Sequence, residues 1–225
     1  GSSSTWVLSN HDVIRHATRY GLPKKTNFEK WVMTDGTSPE LDREKGQTRA
    51  RAATMLLLAL PGSTYLYQGE ELGLPENTTM APEFRQDPTF FRTKGERVGR
   101  DGCRVPMPWT STGSSFGFGP GGAHLPQPAW FKDVNVEVQD KDGKSTLNLY
   151  RDALRIRRDL LCAEEFKWVK HLFAPEVLHF TRPNGWQCVT NFGTKPFKLP
   201  KGQVLLTTQE IVDGKLPANA TAWII

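Results

Sequence analysis

Three short stretches hold the side chains from which a polar reaction site can be built. The first is His11-Asp12, which closes an apolar run over residues 5–10. Neighbours on an extended strand point to opposite sides, so this pair shares a pocket only where the backbone turns irregular. The competing reading is a helix cap beside a hydrogen-bonded histidine. The second stretch is Glu70-Glu71, which closes another apolar run over 63–68. With Asp12 it could supply the two carboxylates of a glycosidase, about 5–9 Å apart, or be no more than exposed acids in a turn. The third is Arg97-Val98-Gly99-Arg100-Asp101-Gly102-Cys103-Arg104, three arginines in eight residues. A guanidinium beside a carboxylate keeps it ionised and forks onto hydroxyl or carboxylate oxygens. A surface turn with ion pairs would read the same way. The aromatics that follow, among them Trp109, Phe116 and Trp130, suit stacking on a sugar ring and equally suit packing a long loop.

Other chemistries are disfavoured. There is no Gly-x-Ser-x-Gly elbow and no phosphate-binding glycine loop, which argues against a serine hydrolase and against nucleotide chemistry. Cys103, Cys162 and Cys188 form no Cys-x-x-Cys pair, and no further ligands accompany His11 at metal spacing, so no metal site is expected. Three reduced thiols in a chain this large point to the cytoplasm. The 225 residues are 37% hydrophobic and 10% aromatic, too rich for wholesale disorder. The net charge is +5, with cations scattered among acids as in Asp42-Arg43-Glu44-Lys45. Scattered charge marks a solvated surface, so no nucleic-acid partner is expected. The longest apolar run, 52–60, is too short to span a membrane. Gly1-Ser2-Ser3-Ser4 has neither the basic start nor the apolar stretch of a signal peptide and reads as a loop or an added remnant.

The elements that must position these residues follow from the hydrophobic pattern. Residues 5–10 and 63–68 read as buried strands. Between them a helix ends at Leu60, with Ala53, Leu56, Leu57 and Leu60 on its apolar face and Pro61-Gly62 as its stop. Gly46 blurs its start. Strand, helix, strand implies a parallel crossover unit. The polar residues then fall at the carboxyl ends of both strands, where ligands collect in such folds. Residues 72–144 show no regular pattern but are rich in aromatics, which predicts an ordered excursion over the active-site face, most mobile around 113–122. A second helix is expected over 145–162, burying Leu147, Tyr150, Leu154 and Leu161 and turning Arg151, Arg155 and Arg158 outward. Short β-rich runs follow at 166–172, 176–181, 186–192, 203–208 and 220–225, with Pro183-Asn184-Gly185 as a hairpin signal. They predict a small antiparallel domain beginning near Ala163.

Three linked segments carry a resemblance: Trp6-Val-Leu-Ser-Asn-His-Asp-Val-Ile-Arg15, Tyr65-Leu-Tyr-Gln-Gly-Glu-Glu-Leu-Gly73 and Gly99-Arg-Asp-Gly-Cys-Arg-Val-Pro-Met-Pro-Trp109. In order and spacing they resemble the closing part of the oligo-1,6-glucosidase/α-glucosidase branch of glycoside hydrolase family 13, the α-amylase family. Asn10-His11-Asp12 is similar to that family's fourth conserved segment, and Tyr-Gln-Gly-Glu-Glu to its eighth barrel strand. The run from Arg104 to Trp109 resembles the branch's Arg-Thr-Pro-Met-Gln-Trp signature, departing at Val105 and Pro108.

The resemblance implies a fold of class α/β plus β: the last strands and helices of a (β/α)8 TIM barrel over 1–162, with the long loop 72–144, then a C-terminal antiparallel β-domain over 163–225. In the family the nucleophilic aspartate and acid/base glutamate precede the Asn-His-Asp segment. The chain is therefore expected to be a C-terminal portion, inactive alone, that needs the missing part of the barrel or self-associates. Asp12 would be the third carboxylate, stabilising the transition state through the C2 and C3 hydroxyls of the sugar. His11 and Arg104 would bind hydroxyls of the same glucose, and Arg15 the next sugar. Glu70 and Glu71 receive no catalytic role. The complete enzyme would hydrolyse α-glucosidic bonds of oligosaccharides with retention, without an organic cofactor and without calcium in this part. The alternatives are a transglycosylase such as a trehalose synthase or sucrose isomerase, and a non-catalytic scaffold of the same family.

Overall fold

The structure is a computed structural model that describes residues 4–225, so the reading of Gly1-Ser2-Ser3 lies outside the described residues. The expected parallel pair is present but short. Strand β1 (Thr5–Val7) lies beside β2 (Ser63–Tyr65), with Thr5 opposite Ser63 and Val7 opposite Tyr65. Each apolar run leaves the ladder early and enters a turn: the Asp12 amide donates to Asn10 Oδ1 at 2.8 Å, and the Glu70 amide donates to the Tyr67 carbonyl at 3.1 Å.

Three helices occupy the intervening sequence: α1 (His16–Gly21), α2 (Phe28–Met33) and α3 (Arg43–Ala59). Asn27 caps α2 by accepting from the Lys30 amide at 3.0 Å. The most deeply buried apolar side chains of α3 are Ala52, Met55, Leu58 and Ala59, whereas Leu56, and Leu60 just past the helix end, are only partly buried. The second half of this helix is apolar all round, so spacing could not single out the face that packs most tightly.

Residues 72–144 are an excursion of short helical pieces. They include α4 (Pro88–Arg92), α5 (Asp101–Arg104) and α6 (Val136–Asp140), with 3-10 turns at Pro82–Phe84, Ser114–Gly117 and Ala129–Asp133. None is long enough to show a periodic pattern. The segment is packed around Leu72, Leu74, Met80, Val105, Met107, Leu125 and Phe131, with Phe116 and Trp130 against that cluster. Phe91, Trp109 and Phe118 stay exposed.

The second long helix is α7 (Thr146–Leu160). Leu147 and Tyr150 are buried as expected, but Leu154 and Leu161 are exposed (41% and 61%). The packed stripe is Leu149, Ala153, Ile156 and Leu160, spaced i, i+4, i+7, i+11; Leu154 sits one step round from it, and Leu161 lies past the helix end. Antiparallel strands follow: β3 (Lys167–Trp168), β4 (Val177–Thr181), β5 (Gln187–Asn191), β6 (Phe197–Lys198), β7 (Val204–Thr207), β8 (Lys215–Leu216) and β9 (Ala220–Ile224). Five of them form one sheet in the order β3-β4-β5-β9-β7, and β6 pairs with β8. The predicted hairpin joins β4 to β5: the Arg182 amide donates to the Trp186 carbonyl at 2.7 Å.

Two compact units interleave along the chain. One gathers the residues up to Val7, Thr48–Tyr65 and Leu149–Ile225; the other gathers Leu8–Gln47 and Leu66–Asn148. The first has a core of Met55, Leu58, Leu149, Phe180, Trp186 and Trp223. The Trp223 indole donates to the Met55 carbonyl at 3.1 Å. The second contains every candidate site residue.

Candidate active site

The turn after the first apolar run solves the His11-Asp12 problem. With the Asp12 amide tied to Asn10 Oδ1, both side chains fall on one side: His11 Nε2 stands 3.4 Å from Asp12 Oδ2. Both remain open to solvent, at 67% and 49% side-chain exposure.

The arginines of the third stretch converge on this turn. Arg104, the last residue of α5, donates from Nε to the His11 carbonyl at 2.9 Å and from Nη2 to Asp12 Oδ1 at 3.3 Å. Arg100 donates from Nη1 to the same Asp12 oxygen at 2.6 Å. Asp12 Oδ2 is thereby left on the open side with His11. Behind the arginines stands Asp87, wholly buried, whose carboxyl the Arg100 side chain holds far below the ordinary carboxylate range. Asp101 is also buried; its Oδ2 accepts from the Gln86 and Asp87 amides at 2.8 and 3.0 Å and so fixes that segment.

Arg15 departs from the expectation that it reaches a sugar. It is 3% exposed. Its amide donates to Glu76 Oε2 at 2.9 Å, Nη1 to the Gln68 carbonyl at 2.7 Å and Nη2 to the Cys103 carbonyl at 2.9 Å. Its guanidinium joins the segment after β2 to the segment bearing Arg104. Gln68 and Cys103 carry no side-chain signal for this, because the acceptors are backbone carbonyls. Glu70-Glu71 form a 3-10 turn, but Glu70 is buried rather than exposed and faces His16, its Oε2 3.9 Å from His16 Nδ1. Burial pushes the His16 imidazole down to about 3, so it meets Glu70 as a neutral ring. Burial likewise pushes the Cys103 thiol up to about 12, which leaves it inert as a nucleophile.

A cleft of about 610 Å³ opens beside Asp12, lined by Phe28, Val32, Arg97, Val98 and Arg100 among others. Arg97 pairs with Glu29 along its wall. The volume suits a small ligand. An open carboxylate with a guanidinium and an imidazole around it can accept from and donate to vicinal hydroxyls. Among the described residues no three His, Cys, Asp or Glu side chains cluster as metal ligands.

The family model described as "Alpha amylase, catalytic domain" matches residues 1–164. The chain belongs to the α-amylase catalytic-domain family. The family is a glycoside hydrolase family, and the relatives of this chain bear enzyme names. It is 34% identical over 153 residues to a probable α-glucosidase of Rhizobium meliloti (strain 1021), covering 68% of this chain and 24% of that protein. It is 25% identical over 232 residues to an oligo-1,6-glucosidase of Parageobacillus thermoglucosidasius, covering 91% of this chain and 37% of the relative. Among solved structures, the α-glucosyl transfer enzyme XgtA superposes with a TM-score of 0.69 at 30% identity, over 98% of this chain and 40% of that one. The chain thus spans between a quarter and two fifths of these relatives. Its structural neighbours are TIM-barrel enzymes of the α-amylase family.

Asp87 and Asp101 are the buried carboxylates around Asp12 to which sequence reasoning gave no role. Asp87 caps α4 by accepting from the Thr89 amide at 2.8 Å. That capping role conceals its second one. No helix among the described residues is long and apolar enough to cross a membrane.

Proposed function

We propose that this chain is the C-terminal portion of a retaining α-glucosidase that releases terminal α-linked glucose from oligosaccharides. On this reading, residues 1–162 complete the (β/α)8 barrel and residues 163–225 form its appended β-domain. The nucleophilic aspartate and the acid/base glutamate belong to the preceding part of the enzyme, so the isolated chain turns over no substrate. That preceding part, or a second copy of the chain, is the partner expected at the open edges of the two-stranded sheet. The reduced cysteines favour the cytoplasm.

The observation that carries the reading is the approach of Arg104 to Asp12 across 92 positions of sequence, Nη2 to Oδ1 at 3.3 Å. Glycoside cleavage passes through a flattened, oxocarbenium-like sugar, and hydrogen bonds to its hydroxyls strengthen as that charge develops. Asp12 Oδ2 would accept from the C2 and C3 hydroxyls. His11 and Arg104 would contact neighbouring hydroxyls, and Arg104 would steady the carboxylate. Arg15 serves the site from behind, by holding the segment that bears Arg104.

The test is the anomer first released. Proton NMR of the complete enzyme acting on maltose, isomaltose or sucrose should show α-glucose before mutarotation, while the 225-residue chain alone leaves p-nitrophenyl α-glucoside intact. Release of β-glucose, or enzyme-like turnover by the chain alone, would refute the reading. The 30% identity to an α-glucosyl transfer enzyme favours a second reading, transglycosylation. New glucosides accumulating ahead of free glucose would select it.

A further inference from the structure

The frame behind Asp12 is organised around a carboxylate that meets no solvent. Asp87 is 0% exposed and binds along one edge of Arg100. Asp87 Oδ2 accepts from Arg100 Nε at 2.6 Å and from the Arg100 amide at 2.9 Å, while Oδ1 accepts from Arg100 Nη2 at 3.3 Å. Arg104 Nη1 stands 3.6 Å from Oδ2. With Nε and Nη2 held, the terminal nitrogen Nη1 of Arg100 is the one aimed at Asp12 Oδ1. The backbone is shaped to this contact. Gly99 has φ +74°, and a Cβ there would lie 2.7 Å from the Asp87 Cβ and 2.8 Å from its Cγ.

The charges balance only with Asp87 counted: two guanidiniums and two carboxylates. Without the buried one, both guanidiniums would turn on Asp12 alone, drawing in the oxygen a substrate needs. We propose that Asp87 is the positioning residue of this site, clamping Arg100 so that Arg100 and Arg104 hold Asp12 Oδ1 and leave Oδ2 free for a sugar hydroxyl. The clamp stands on this geometry; what Asp12 then does rests on the glucosidase reading above.

Two measurements separate these layers. In the 15N-labelled chain the Arg100 Nε–Hε proton should exchange slowly with water. Asp87→Asn should speed that exchange about tenfold or more, since a charged hydrogen bond is lost. Asp12→Asn should leave it within about twofold, because Asp12 binds Nη1 rather than Nε. Protection that survives D87N, or that D12N abolishes, overturns the clamp. In the complete enzyme D87N should lower kcat roughly 10- to 100-fold with KM little changed, as supporting residues behind a reacting group do. Wild-type kcat in D87N also overturns the proposal. If D87N loses its backbone amide dispersion, Arg100→Lys takes its place: Arg100 is half-exposed, and lysine keeps the charge but cannot fork. It should show the same kcat loss, and wild-type kcat there overturns the proposal. A wild-type enzyme inert on α-glucosides refutes the glucosidase reading, while the exchange rates still decide the clamp.

Discussion

Glu76 and His16 are both buried, and burial moves them in opposite senses. The Glu76 carboxyl rises from its ordinary 4.5 to about 7, and the His16 imidazole falls from 6.5 to about 3. Between pH 4.5 and 7 the folded chain keeps a Glu76 proton that the unfolded chain has released, so stability falls as pH rises. Between pH 6.5 and 3 the unfolded chain gains a His16 proton that the folded chain refuses, so stability falls as pH falls. Each slope is about 1.4 kcal/mol per pH unit, and they oppose one another where the two windows overlap. Glu76→Gln keeps an acceptor for the Arg15 amide and removes the titration. Its Tm should therefore climb through that overlap while the wild-type Tm stays nearly level. At pH 8 the variant should be more stable by up to ~3 kcal/mol. Calorimetry across this range decides it, and superimposable profiles would contradict the assignment. At this scale the motifs singled out Asp12, His11 and Arg104, three residues that the structure brings together. The sequence named Arg15 but not what Arg15 holds, because its guanidinium binds backbone carbonyls that no side-chain pattern advertises, and it gave no signal for Asp87.

Helix α3 contains a glycine for a reason its propensity hides. Alanine at Gly46 would gain about 1 kcal/mol of helix propensity. Yet a Cβ there would lie 2.2 Å from the Ala17 carbonyl oxygen and 3.0 Å from the Gly21 amide, both backbone atoms with little room to yield. Gly46→Ala should thus be destabilising, by ~1–3 kcal/mol net, visible as a lower Tm. A higher Tm would mean that α1 does not approach α3 this closely. Elements of the β-domain were legible because alternation and turn residues bracket each strand; four of its five predicted runs survive nearly whole, from Val177–Thr181 to Ala220–Ile224. The short helices of 72–144 were illegible because pieces of three to five residues carry no period. The exposed Leu154 shows the same limit from the other side: a leucine near a packed stripe is not thereby on it.

At the scale of the whole molecule, the α-amylase family membership and the TIM-barrel relatives give β1 and β2 their meaning. Among the described residues these two strands pair only with each other, and Val7 and Tyr65 are 43% and 68% exposed. A two-stranded parallel sheet with both edges open is marginal alone, and a closed barrel removes such edges. Strand, helix and strand in order made the parallel pair legible; the barrel was implied only by the resemblance of the three linked segments. The central claim is that Asp12 contributes to glycoside cleavage through its open carboxylate oxygen. The most direct measurement is kcat/KM for p-nitrophenyl α-glucoside with the complete enzyme and its Asp12→Asn variant. The account predicts a fall of about 10³-fold or more, the scale at which one charged transition-state contact is lost, with an unchanged melting temperature because Asp12 is half-exposed. A variant that melts like the wild type and keeps its kcat/KM within tenfold would contradict it.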